Sequence, residues 1–309
     1  IKPIIYQLIF MFTTGFIVAN GVQKGIEKIS KLLVPLLLVL IIILDIKAIR
    51  LPGGMKGLEF LFKPDFSKLD GRVFIGALGH AFYSLSLGMG IMITYGSYMD
   101  KNENIGQTAL QVSLADLVIA LLAGIAIFPA VFAYGVDPTS GAGLVFLSLT
   151  NVFAQMDGGY LFGLLFFVLL SLAALTSTIS LLEVVVAYLV DSFKLNRKKA
   201  AILATGGISF LGIFASLSQG VLGEYTIFGN NFFDFLDKLT ANYFLPTAAL
   251  ISVLFLVKSF GRENIEKELT NNHTLDIGYT NTYYYFTKYL VPVEIILVFL
   301  YQMNIFGQI

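Results

Sequence analysis

Residues 80–96 read HAFYSLSLGMGIMITYG, and they lie inside a longer apolar run from about Val73 to Met99. The run is long enough to cross a bilayer as a helix, yet its middle carries two serines and two glycines. Each glycine costs a helix interior about 1 kcal/mol relative to alanine, and lipid offers no water to satisfy a broken backbone. The stretch therefore predicts a membrane-spanning helix that is interrupted near its centre.

Composition indicates an all-α polytopic membrane protein. Hydrophobic residues make up 57% of the 309 residues and charged residues 13%, whereas a soluble domain carries about 25% charged residues. The net charge is zero, which gives no indication of a nucleic-acid partner. The absence of cysteine excludes disulfides, thiolate metal sites and thiol catalysis within this sequence.

Apolar runs and their flanks predict eight spans in one integral membrane domain, 1–309. Lys and Arg are concentrated in 22–32, 191–199 and 258–268, whereas 136–158 and 219–231 contain neither, which predicts that the first three segments face the cytoplasm. A longer loop, 47–72, carries six basic residues on the predicted outer side but also three acids. The predicted spans are roughly 4–20, 33–49, 73–99, 106–135, 159–190, 199–218, 232–257 and 289–306.

Segment 144–156 is apolar but too short to span. It is either a surface turn with an apolar helix or a lid helix over an outer vestibule, and the pattern leaves both open. No linker between soluble domains and no short-period repeat is visible in the sequence.

The interrupted helix is the first candidate site. Unwound backbone at membrane depth is tolerated only where protein or a water-filled cavity surrounds it, and broken helices often mark transporter binding sites. Ser84, Ser86, Gly88 and Gly90 therefore predict a substrate or ion site. The alternative is close packing between helices, because small residues are common at membrane interfaces.

Two further polar features lie inside spans. Asp116 is an acid within an apolar run, and an ionisable residue in a membrane span is a functional candidate unless a neighbour holds it structurally. Ala173, Thr176 and Ser177 share one helix face, which Leu181 continues one turn later. Two hydroxyls beside a small residue suit Na⁺, a hard cation that prefers oxygen ligands. Alternatively, these hydroxyls bond only the carbonyls of their own helix.

With these residues in place, the chain resembles the neurotransmitter:sodium symporter family. The resemblance covers essentially the whole chain, and it rests on FYSLSLGMGIMITYGSY, the run LLAGIAIFPAVFA after Asp116, GLVFLSLTNVFAQM and LAALTSTISLLE. It implies an inverted-repeat fold of five plus five helices in the bacterial plasma membrane. The eight spans would be the family's helices four to eleven, so the first three helices are expected to be missing from this sequence.

The resemblance also implies roles for individual residues. Ser86, Met89, Gly90, Ser177 and Leu181 would line an amino-acid pocket, with Tyr83 as its aromatic lid. Met89 implies tolerance of larger apolar or aromatic side chains, because methionine is flexible. The implied sodium ligands are Ser84, Asp116, the Ala173 carbonyl, Thr176 and Ser177.

An outer gate is also implied. His80 and Tyr83 would contribute to it, together with Asp237 or, less favoured, Asp234. Both acids also suit the N-terminus of their helix, where an acid complements the helix dipole.

The expected function is sodium-coupled symport of a hydrophobic or aromatic amino acid, with no organic cofactor and no enzymatic activity. The main alternative is a partial chain that has no activity of its own. A seven-helix-type receptor is less favoured, since it needs neither a glycine-broken span nor an acid within a span. A membrane hydrolase is disfavoured, because the sequence has no cysteine, a single histidine within a span and no paired acids on one helix face.

Overall fold

A computed structural model describes residues 2–135 and 144–303 of the chain, and most of these residues are helical. The helices are α1 Lys2–Ala19, α2 Val22–Ile49, α3 Met55–Phe62, α4 Gly71–Ser84, α5 Ile91–Gly96, α6 Ile105–Ala133, α7 Leu144–Gln155, α8 Gly159–Phe193, α9 Arg197–Leu217, α10 Phe232–Phe260, α11 Arg262–Leu269 and α12 Thr280–Gln302.

Seven of the described helices are long and apolar enough to cross a membrane: α1, α2, α6, α8, α9, α10 and α12. The predicted third span appears instead as two shorter helices, α4 and α5, with a non-helical segment between them. The predicted interruption is therefore present. The predicted last span, 289–306, has its end outside the described residues.

Two helices begin earlier than their predicted spans. The basic segment before residue 33 continues α2 back to Val22, and the tyrosine-rich segment before residue 289 continues α12 back to Thr280. Hydropathy marks where the apolar residues stop, whereas the helix continues as long as backbone hydrogen bonds form. As a consequence Lys288, which precedes the predicted last span, lies well inside α12.

The chain divides into two compact units. The first combines the segment before Asn20 with Leu69–Ser113 and the segment from Ser180 onward, and the second combines Asn20–Lys68 with Leu114–Ile179. Helices α6 and α8 contribute residues to both units.

Small residues allow close helix packing in the first unit. Gly15 of α1 faces the side chain of Thr205 of α9, where a β-carbon would collide with the threonine hydroxyl. The Gln7 amide donates to the Ser209 carbonyl oxygen at 3.2 Å and joins the same two helices.

At the start of α4, the Asp70 carboxylate accepts hydrogen bonds from the amides of Arg72 (2.9 Å) and Val73 (3.0 Å).

The second unit has an apolar core. Residues of α2, α6, α7, the turn after α7 and the first half of α8 form it: Leu44, Ala48, Ala126, Ala130, Val131, Leu149, Val152, Phe153, Met156, Phe162 and Phe166. Segment 144–155 is helical, and its residues Leu149, Val152 and Phe153 are buried in this core. Its predicted role as an outer lid stays a prediction.

Candidate functional site

The break between α4 and α5 has a defined backbone path. Ser86, Gly88 and Gly90 all have positive φ angles, of 56°, 81° and 79°. Regular helical hydrogen bonds give way to irregular ones: the Ser86 amide donates to the Tyr83 carbonyl (3.0 Å) and the Leu87 amide to the Phe82 carbonyl (2.9 Å). The helix resumes when the Thr94 amide donates to the Gly90 carbonyl (2.9 Å).

Both glycines of the break have positive φ angles, and their surroundings leave no room for a β-carbon at Gly88 and little room for one at Gly90. A β-carbon on Gly88 would collide with the Leu245 carbonyl oxygen of α10. A β-carbon on Gly90 would lie 3.0 Å from Cγ1 of Val184 on α8. Because glycine alone combines a left-handed backbone with no side chain, the sequence GMG fits this position and a pair of alanines does not.

The side chains of the break differ in their exposure. Ser84, Ser86 and Met89 are half-buried, whereas Tyr83 is 59% exposed and His80 is also exposed. The predicted pocket residue Leu181 is 44% exposed on α8 and belongs to the same unit as the break.

Three oxygen atoms converge on one turn of α8. The Thr176 hydroxyl donates to the Ala173 carbonyl oxygen at 2.8 Å, and the Ser177 hydroxyl donates to the same oxygen at 3.3 Å. The shared helix face predicted from the spacing is therefore present. These hydrogen bonds are also those of the alternative interpretation, in which the hydroxyls bond only their own helix. Hydroxyl and carbonyl oxygens nevertheless form a donor set that fits Na⁺.

Asp116 is half-buried on α6. It belongs to the second unit, as do Ala173, Thr176 and Ser177, whereas His80, Tyr83, Ser84, Ser86, Met89, Gly90, Leu181 and Asp237 belong to the first. Within residues 2–135 and 144–303, no three His, Cys, Asp or Glu side chains are grouped so that they could hold a metal ion. The sodium candidates are accordingly hydroxyl and carbonyl oxygens with one carboxylate.

The two acids at the start of α10 have different surroundings. The Asn231 side chain accepts a hydrogen bond from the Asp234 amide at 2.9 Å, and its own amide donates to the Asp234 carboxylate at 2.8 Å. Asp234 thus takes part in capping the helix. Asp237 lies one turn later and is exposed, as is Asp234, so the choice of Asp237 over Asp234 as the gate acid stays a prediction.

A buried ion-pair cluster was not assigned from the sequence. Glu183 of α8 is fully buried, and its carboxylate accepts hydrogen bonds from Tyr98 (2.6 Å) and from Arg197 Nη1 (3.1 Å) and Nη2 (2.5 Å). The Arg197 Nε atom also donates to the Val18 carbonyl at 3.0 Å. Nearby, the Tyr95 hydroxyl donates to Ser180 at 2.8 Å.

This cluster joins α1, α8 and α9 to the residues that follow α5. The sequence signal for it was an acid inside a span and an arginine fourteen residues later. Because Arg197 lies in a predicted loop, the sequence pattern alone does not indicate that it pairs with Glu183.

Comparison with known proteins identifies the relatives. The family model described as "Sodium:neurotransmitter symporter family" matches residues 3–308. The chain belongs to this family. The prediction from the sequence motifs is therefore confirmed, and with it the expectation of a membrane transporter rather than an enzyme, with Na⁺ as the coupling ion.

Individual relatives agree with the family. The chain is 38% identical over 305 residues to an uncharacterized sodium-dependent transporter of Bacillus subtilis, covering 99% of this chain and 68% of that protein. A similar protein of Haemophilus influenzae is 38% identical over 298 residues, with 96% and 65% covered. The chain thus spans about two thirds of the length of these relatives.

A solved structure supports the fold. The crystal structure of MhsT in complex with L-phenylalanine is 44% identical in sequence, with a TM-score of 0.83 over 96% of this chain and 67% of that one. The predicted all-α transporter fold with a broken third span is therefore confirmed.

Proposed function

We propose that this chain carries the substrate and sodium sites of a sodium-coupled amino-acid symporter, with a hydrophobic or aromatic L-amino acid as substrate. The observation that carries the proposal is the break between α4 and α5, where Ser86, Gly88 and Gly90 have left-handed backbone conformations. The similarity to a protein whose structure contains L-phenylalanine supports the substrate class.

The break supplies what a zwitterionic substrate needs at membrane depth. Backbone amide and carbonyl groups released from a helix bind carboxylate and cationic groups without adding charged side chains. In this proposal Ser86, Met89 and Gly90 line the pocket, and Ser177 and Leu181 contribute from α8. Met89 gives the pocket a flexible apolar wall that adjusts to side chains of different size.

Sodium is proposed to bind oxygen atoms contributed by several segments. The Ala173 carbonyl, Thr176 and Ser177 are one ligand group, supported by the convergence of their oxygens on α8. Ser84 and Asp116 are proposed as further sodium ligands. The negative charge of the Asp116 carboxylate attracts a cation to this part of the span.

The gate is proposed to comprise His80, Tyr83 and Asp237. Exposed positions at all three residues support this assignment, since a gate must contact the aqueous vestibule in at least one state. Alternating access between the two sides of the membrane would then carry substrate and sodium inward together.

The energy available is sufficient for concentrative uptake. A membrane potential of 100 mV supplies about 2.3 kcal/mol for each charge that moves inward. A tenfold sodium gradient adds about 1.4 kcal/mol. One Na⁺ per cycle can therefore sustain an uptake ratio of several hundred-fold, on the order of 500.

The test is uptake of radiolabelled L-phenylalanine into proteoliposomes with an inward gradient of Na⁺ or of K⁺. It is run on this chain and on the complete product, defined as this chain together with the three additional helices that the family resemblance implies. We expect Na⁺-driven uptake by the complete product, and Thr176→Val combined with Ser177→Ala to raise the sodium concentration for half-maximal uptake about tenfold or more.

Ser171→Ala is the matched control, because the Ser171 hydroxyl makes the same kind of helix hydrogen bond, to the Phe167 carbonyl at 2.7 Å. The control is expected to leave the sodium dependence unchanged. Equal uptake in Na⁺ and K⁺ by the complete product would contradict the proposal. Uptake by the complete product but not by this chain would identify the chain as a part that needs the remaining helices.

A further inference from the structure

Tyrosines are concentrated at the start of α12. Five of them lie between residues 279 and 289: Tyr279, Tyr283, Tyr284, Tyr285 and Tyr289. Tyr285 is 50% exposed and Tyr289 is 60% exposed, and their rings stack with centroids 6.3 Å apart and an interplanar angle of 3°. Exposed tyrosines at the end of an apolar helix are typical of the layer where lipid headgroups meet the acyl chains.

Two cations lie against the same ring. The guanidinium carbon of Arg262 is 5.7 Å from the centroid of the Tyr284 ring, and Nζ of Lys288 is also 5.7 Å from that centroid. Lys288 additionally lies 5.1 Å from the centroid of Tyr289. Arg262 comes from the start of α11 and donates to the Asn281 side chain on α12, so the two helices hold both cations around one ring.

Neither cation is neutralised by a carboxylate. Among the described residues, no Asp or Glu oxygen lies within ion-pair distance of Arg262 or Lys288. The neighbouring acid Glu263 is paired with Lys267 at 2.7 Å instead. Both cations are exposed, so their charge is available to a bound molecule.

The position of Lys288 along α12 indicates which kind of molecule the two cations bind. Lys288 lies eight residues after the start of α12, which is about 12 Å along a helix, and the rest of α12 is mostly apolar, with Glu294 as its one charged residue. A lysine at this depth keeps its ammonium group near the headgroups. The loop charges predict that this end of α12 faces the cytoplasm.

We propose that Arg262, Lys288 and the ring of Tyr284 form a binding site for the headgroup of an anionic phospholipid. The phosphodiester accepts hydrogen bonds from the guanidinium and ammonium groups, and Tyr285, Phe286 and Tyr289 contact the first part of the acyl chains. A zwitterionic lipid is disfavoured, because its own cationic group is repelled by the two protein cations. This site is separate from the substrate and sodium residues of the proposed function.

Native mass spectrometry of the purified protein in detergent tests the site, with dioleoylphosphatidylglycerol compared against dioleoylphosphatidylcholine. Each cation near a membrane surface contributes about fivefold in affinity for an anionic lipid. The wild-type protein is expected to prefer phosphatidylglycerol, and Arg262→Gln combined with Lys288→Gln is expected to reduce that preference on the order of twentyfold.

Lys198→Gln combined with Lys199→Gln is the matched control. These residues are exposed and predicted to lie on the same side of the membrane, and the double variant removes the same charge. A second pair of variants distinguishes the contribution of the Tyr284 ring from that of its hydroxyl. Tyr284→Phe is expected to keep the preference for phosphatidylglycerol, and Tyr284→Leu is expected to reduce it.

An equal loss in the Lys198/Lys199 control would show that only net charge matters and would overturn the proposal. An unchanged preference after removal of Arg262 and Lys288 would also overturn it. Competition by soluble glycerol phosphate as effective as that by the lipid would assign the cations to free phosphate rather than to a membrane lipid.

Discussion

At the scale of single residues, the break between α4 and α5 depends on glycine for two independent reasons. Gly88 combines a φ of 81° with a position against the Leu245 carbonyl, and Gly90 combines a φ of 79° with a position against Val184. A left-handed conformation costs a residue with a β-carbon roughly 1–2 kcal/mol. The collision at Gly88 adds to this cost, because the obstacle is backbone rather than a flexible side chain.

Gly88→Ala should therefore destabilise the protein by about 2 kcal/mol or more. The control is Gly96→Ala, since Gly96 lies in the helix α5 and has no neighbouring atom within 4 Å of the place that a β-carbon would occupy. Denaturation in mixed detergent micelles, followed by circular dichroism, measures both variants. Equal stability of the two would show that Gly88 is not constrained as described.

Met89→Phe tests the proposed pocket at the same scale. It replaces a flexible side chain with a rigid ring, so uptake of tyrosine or tryptophan is expected to fall more than uptake of alanine. Competition of unlabelled amino acids against labelled substrate measures the selectivity. Equal losses for large and small substrates would remove Met89 from the pocket.

At the scale of elements, the Glu183 cluster connects α8 with three other segments. Its carboxylate is fully buried, and Arg197 is the charged partner, with 26% of its side chain exposed. Removing one member of a buried ion pair leaves the other uncompensated, which costs about 3–5 kcal/mol for fully buried pairs. Partial exposure of Arg197 places this pair at the lower end of that range.

Glu183→Gln is expected to destabilise the protein by about 3 kcal/mol, and the double variant with Arg197→Met by less than the sum of the single variants. Asp191→Asn, an exposed acid on the same helix, is the control with no expected effect. Thermal unfolding in detergent measures these proteins. Strict additivity of the Glu183 and Arg197 variants would indicate that the two side chains do not interact.

The elements also show which features a sequence can predict. Local signals were sufficient for the break, because serines and glycines inside an apolar run weaken the helix where they stand. The same holds for the Thr176 and Ser177 face, which follows from helical spacing. The partner of Glu183 depends on how the chain reverses before α9, and local spacing carries no such information. The early starts of α2 and α12 were missed because polar helical turns resemble loops in hydropathy.

At the scale of the whole molecule, the proposed role of Asp116 predicts whether transport depends on chloride. The resemblance implies that Asp116 supplies a fixed negative charge where chloride-dependent members of the family use an anion beside the first sodium. A carboxylate close to Na⁺ is favoured in its charged form.

The complete transporter is therefore expected to work equally well in chloride and in gluconate. Asp116→Asn should reduce transport in gluconate and regain part of it when chloride is added. Initial uptake rates in proteoliposomes, with chloride as the only variable, measure both proteins. A strong chloride dependence of the wild type would leave Asp116 as a structural acid.

The central claim is that the broken segment and α8 bind an amino acid together with sodium, and a single thiol tests it most directly. The sequence contains no cysteine, so Leu181→Cys adds the only thiol to this chain, and Lys101→Cys provides an exposed control. The rate of modification by a methanethiosulfonate reagent is measured in the complete product, relative to the same product without either substitution, with and without L-phenylalanine, in Na⁺ or in K⁺. We expect L-phenylalanine to slow modification of Leu181→Cys about tenfold or more in Na⁺ only, with no effect on Lys101→Cys. Equal modification rates for Leu181→Cys under all four conditions would contradict the claim.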